Sequence, residues 1–168
     1  MKGIKKISII LICIFILFSL FANTKAASSD LYLNNLHFDV QINSDGSMDI
    51  TENWNIDIRN TNTLFKTFQK DSTKYSRITD GTVSKINSTG NEISFFNSNQ
   101  YAYHVPTGEY YFLNRGSNYE VAWGTGYENS SGTENYKISY HVEDAIAKYN
   151  DCSELYWQFI GEDFEIPA

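Results

Sequence analysis

Cysteine, proline, methionine and histidine are all scarce in these 168 residues, numbering two, two, two and three. Each shortage excludes something. Cys13 lies in an apolar N-terminal run, so Cys152 is left with no partner for an internal disulfide and reads as a small buried hydrophobe rather than a reactive or intermolecular thiol. His37, His104 and His141 are scattered and no CxxC occurs, which removes the clustered ligands of a zinc site. Asn43 to Asp49 has the acids of a calcium loop, but Met48 and the missing closing Glu make it a hairpin turn instead. No metal and no cofactor is therefore expected. GxSxG is absent, and with it the nucleophile elbow of a serine hydrolase. Basic residues are outnumbered 13 to 20, a net charge of −7, so nucleic acid and anionic polymers are repelled on average.

Long apolar runs are missing too, with one exception at the start. Met-Lys-Gly-Ile-Lys-Lys is followed by Ile7 to Ala22, free of charge, and then by Thr24-Lys-Ala26 ahead of Ala27. A basic start, a short apolar helix and small residues at the cleavage positions are the marks of a secretory signal peptide over residues 1–26. The run falls short of the roughly 20 residues that span a bilayer, although an uncleaved anchor is the alternative. Processing there removes four lysines and no acid, leaving nine basic residues against 20 acidic ones, a balance of −11. Residues 27–168 then form one domain of ordinary size, whose charge suits a soluble life outside the membrane.

What is abundant is aromatic residues in alternation. Leu36, Phe38, Val40 and Ile42 alternate with polar neighbours; Asp45-Gly46 supplies a hairpin turn; Met48, Ile50, Trp54, Ile56 and Ile58 return. Tyr119, Val121 and Trp123 repeat the pattern, as do Tyr136, Ile138, Tyr140 and Val142, and then Leu155, Trp157 and Phe159. Asn60–Thr63 reads as a polar break and Gly124–Glu134 as a mobile loop. Some eight or nine short strands without a helical period predict an all-β chain, an antiparallel β-sandwich of immunoglobulin-like or Greek-key style behind the N-terminal signal helix, with Trp54, Trp123 and Trp157 inside.

Two features stand out as candidate sites. Glu52 occupies the inward phase of its strand, where a carboxylate must be paired, hydrogen-bonded or exposed at a sheet end. It is either a clamp on a backbone corner or a tyrosine hydroxyl, or a functional acid if it faces a cleft. Tyr101, Tyr103, His104, Tyr110 and Tyr111 crowd around Pro106-Thr-Gly108. They form either an aromatic platform for a sugar ring or extended peptide, or ordinary hairpin packing.

The strand ending Ser139-Tyr140-His141-Val142, the corner Ala145-Ile146, the run Tyr149-x-Asp151-x-x-Glu154-Leu155-Tyr156-Trp157 and Gly161 resemble the extracytoplasmic N-terminal domain of a bacterial membrane-protein family called domain of unknown function 2207. Phe38-Asp39-Val40-x-Ile42 with Asp45-Gly46-Ser47-Met48-Asp49-Ile50-Thr51-Glu52 resembles its opening hairpin. The resemblance implies strands held outside the membrane by helices further along the polypeptide, and no chemistry. It also implies a chain truncated before a C-terminal membrane region, with an open edge strand able to pair with another chain.

The expectation is a noncatalytic extracytoplasmic module of the cell envelope that binds a protein or glycan partner, retained at the membrane by an uncleaved signal or by the missing helices. The alternative is an exported polysaccharide hydrolase that pairs Glu52 with Asp144 or Asp151.

Overall fold

The computed structural model describes residues 30–161 together with Ile166 and Pro167. The expected signal segment and its helix lie outside the described residues. Among the described residues nine strands form: β1 (Leu31–Ile42), β2 (Met48–Gln69), β3 (Arg77–Ile86), β4 (Glu92–Ser94), β5 (Phe96–Asn97), β6 (Glu109–Arg115), β7 (Asn118–Glu143), β8 (Ile146–Lys148) and β9 (Ser153–Leu155). The chain is all-β, as its period-two patterning predicts. Its main hydrogen-bond ladder is one curled, predominantly antiparallel sheet with the order β1-β2-β7-β3-β4; β6 pairs with another part of β7, and β5 with β6. β8 and β9 make a separate two-stranded ribbon.

Two strands of 22 and 26 residues dominate. The first part of β2 runs beside the last part of β7, with Ile50 opposite Tyr140 and Trp54 opposite Tyr136; further on Leu64 meets Trp123 and Phe68 meets Tyr119. Between these parts the register slips twice, at Arg59/Thr61 and Thr61/Thr63. Asn60 takes a φ of 50° there and Gly126 one of 82°. The polar and Gly-rich stretches expected to be a break and a loop are thus bulges within continuous strands. An extra residue in a ladder bends the strand and increases its twist, and small polar or Gly residues tolerate the left-handed backbone that this needs.

The bend brings the two halves of the sheet together. Trp54 meets Trp123 edge-on at 5.8 Å between ring centroids, and Phe68 meets Tyr140 at 4.7 Å. Met48, Ile50, Ile56, Ile58, Val121 and Ile138 fill the same interior. At the far side β3 closes on β6, where a Cβ at Gly81 would overlap the Phe112 ring. Asp80, at a φ of 54°, and Gly81 form a bulge within β3, where the register against β7 shifts between Thr79 and Thr82.

The C-terminal run departs from its pattern. Only Ser153–Leu155 is strand, and Leu155 is exposed. Trp157 and Phe159 lie half-buried on the main cluster, against Tyr75 at 5.4 Å and Phe38 at 5.2 Å. Trp157 therefore caps the core from the side. Cys152 is exposed, which corrects the expectation of a buried thiol: the short β8–β9 ribbon leaves its tip in water.

Candidate functional site

Alternation decides what each tyrosine does. In β6, Tyr110 points into the main core and Tyr111 to the opposite face, where it packs with Val105 and Ala122 in a second, smaller cluster. Tyr110, expected among the platform residues, is thus a core residue. The second cluster exists because residues 101–106 fold back over β6 and β7. Val105 is the anchor: its side chain is buried, and its N–H donates to Thr63 Oγ1 at 2.9 Å. Thr107 bridges Gly124, where a Cβ would overlap the Pro106 carbonyl. Thr125 Oγ1 ties β7 to the Thr61 carbonyl of the β2 bulge.

Between the anchored loop and the bulge lies a concavity of about 490 Å³. Tyr103 stands on its rim with 78% of its surface exposed, its ring edge-on to His104 at 4.8 Å. Phe65 faces it from β2, 64% exposed. Tyr101 packs on Tyr111 at 5.7 Å and lies under the Arg115 guanidinium at 3.9 Å. Glu120 Oε1 accepts from Tyr111 Oη at 2.6 Å and from Arg115 at 3.0 Å. Burial first, and the Glu120 carboxylate second, push the Tyr111 hydroxyl well above its ordinary pKa, so it stays protonated and donates. Arg115 is held more firmly charged, chiefly by its hydrogen bond to Glu120.

Glu52 is elsewhere. It is fully buried between the two halves of the sheet, where Oε1 accepts from Tyr140 Oη at 2.7 Å and from Lys66 Nζ, and Oε2 accepts from Trp54 Nε1 at 2.9 Å. Lys66 also sits over the rings of Phe38 and Phe68, at 5.7 and 5.2 Å. The arrangement has the geometry of a clamp on a tyrosine hydroxyl. A buried carboxylate without partners is prohibitively costly, and here three donors from both halves of the sheet converge on it. Burial, followed by the Glu52 charge, drives the Tyr140 hydroxyl far above its usual pKa. Asp144 sits at the end of β7 with a φ of 53°, and Asp151 is exposed in the β8–β9 turn. Neither has a hydrogen bond or ion pair to Glu52 among the described residues.

The family model of the predicted membrane protein (DUF2207) N-terminal domain matches residues 32–168. The chain belongs to this family. No curated protein and no solved structure matches it. This DUF2207 domain carries, among its described residues, no helix long and apolar enough to cross a membrane.

Several site residues of the domain escape a linear reading. Phe65 is legible in hindsight, since it falls in the outward phase between inward Leu64 and Lys66. Arg115 and Glu120 flank a turn and meet only because β6 and β7 form a hairpin. Glu134, placed at the edge of a supposed loop, is a second inward carboxylate. It accepts from Lys85 at 2.6 Å and from the Tyr127 hydroxyl, whose pKa this bond, more than burial, raises to about 12.

Proposed function

We propose that this domain is a noncatalytic β-sandwich module, held outside the cytoplasmic membrane, that binds a protein or glycan of the cell envelope through the Tyr103–Phe65 concavity. One observation carries the reading: two large rings, Tyr103 and Phe65, stand mostly in water while lining one hollow, and the loop that carries Tyr103 is pinned by the buried Val105. Large apolar side chains left in water around a preformed hollow are characteristic of interaction sites. The contact of Trp54 from one half of the sheet with Trp123 from the other supports the sandwich description. Membership of a membrane-protein family, with a basic and apolar start, supports the location. The pairing of Glu52 with three buried donors supports a scaffolding role for that acid and argues against the hydrolase.

The test has two arms. Intact cells expressing the chain should lose it to added protease, and protection equal to that of a cytoplasmic marker would refute export. Isolated envelope material should retain the chain saturably, and Tyr103→Ala should abolish retention without moving the thermal midpoint. Equal retention of both forms would remove the concavity from the function.

A further inference from the structure

We infer that the ligand of this concavity is an uncharged oligosaccharide, with the Tyr103 ring as its stacking face; the inference rests on the binding role proposed above. A volume of about 490 Å³ is in the range of small-ligand sites, roughly 300–1,000 Å³. Its polar groups are mixed in kind. The Asn60 carboxamide makes no hydrogen bond among the described residues, and Asn60 holds a φ of 50° at the bulge that forms one wall. Asn62 uses only its Oδ1, accepting from Thr63 at 2.8 Å, which leaves its amide hydrogens for a ligand. Glu120 commits Oε1 to Tyr111 and Arg115, and Oε2 has no hydrogen bond among the described residues. Amide donors beside carboxylate acceptors match sugar hydroxyls, each of which both donates and accepts.

Charge narrows the class. Glu120 and Glu128 both border the hollow, while Arg115 is engaged by Glu120 and Tyr101. Phosphate, uronate or sulfate on a ligand would meet net negative potential in a chain that is already acidic. An extended peptide is disfavoured for another reason. Such ligands bind by adding to a row of free backbone groups, but the loop bordering the hollow already spends the Val105 N–H on Thr63 and pairs Thr107 with Gly124. The side-chain groups of Asn62 and Glu120 are the ones left for a ligand.

Titration calorimetry on the 168-residue chain would use three trimers: β-1,4-linked N-acetylglucosamine, β-1,4-linked glucose and α-1,4-linked galacturonate. At least one neutral trimer should bind, the acidic one should not, and Tyr103→Ala and Phe65→Ser should each weaken binding by about tenfold or more with no change in melting temperature. Both rings are exposed, so neither variant threatens the fold. Tighter binding of the galacturonate trimer would overturn the charge argument. If no trimer binds at up to about 10 mM while a panel of uncharged decapeptides does so in a Tyr103-dependent way, the glycan assignment fails and the binding role survives. If neither class binds, both fail.

Discussion

Glu52 and Lys66 show how a single buried pair can set the stability of a sheet. Removing one partner of a buried pair leaves the other as an uncompensated charge, at a cost of about 3–5 kcal/mol, whereas replacing both with apolar groups of similar size is often close to neutral. Lys66 keeps a little exposure, so the expected loss for Glu52→Gln is on the order of 3 kcal/mol, and the double variant Glu52→Gln/Lys66→Met should be more stable than Glu52→Gln alone. Urea denaturation of the singles and the double measures this, and additive effects would show that the pair is not coupled. A gentler case is His141, whose Nδ1 lies 2.7 Å from Asp49 Oδ1. That hydrogen bond raises the His141 pKa above its usual value near 6.5. The pair therefore stabilises the fold fully below about pH 6.5 and loses its contribution as pH rises through the elevated value. Asp49 is half in water, so the gain is under about 1 kcal/mol. His141→Gln should lower the denaturation midpoint slightly at pH 5 and leave it unchanged at pH 9.

Among the elements, the closures at Gly81 and Gly124 are the most sensitive positions, because each admits a neighbour where a side chain would stand. Gly81→Ala pushes against the Phe112 ring that joins β3 to β6. Overpacking of this sort costs roughly 1–3 kcal/mol, and Phe112→Leu in the same chain should recover part of it, as read from paired melting curves. Gly124→Ala instead displaces the Pro106 backbone, and with it the loop that carries Tyr101 and Tyr103. Its expected signature is weakened ligand binding out of proportion to any loss of stability. The β8–β9 ribbon lies at the other extreme: three residues per strand and largely exposed, it should exchange its amide hydrogens far sooner than the Tyr136–Val142 part of β7, which lies between β2 and β3.

Across the whole molecule, β2 and β7 run through both halves of the sheet, and the two halves pack their side chains into one core, so neither half can melt without exposing the other. Unfolding should be a single cooperative transition. Ile138→Ala in one half and Val121→Ala in the other should both shift it, the first by about 2–5 kcal/mol. Tryptophan fluorescence and far-ultraviolet circular dichroism should coincide in both variants; separated curves would mean that the halves fold independently.

Period-two alternation was enough to establish an all-β chain, to place Trp54, Trp123 and Tyr136 in its interior, to identify the Asp45-Gly46 hairpin and to mark Glu52 as an inward carboxylate that needed partners. Those features depend on neighbours in sequence, whose side chains alternate across a strand whatever lies opposite. Asn60–Thr63 and Gly124–Glu134 look like loops when read locally, because the composition of a bulge and that of a loop are the same. Only pairing between β2 and β7, residues far apart in the chain, makes them bends in continuous strands. The donors that satisfy Glu52, the buried role of Tyr110 against the exposed one of Tyr103, and the meeting of Phe65 with the tyrosine loop all follow from that bend. It sets distances between segments that no local pattern encodes.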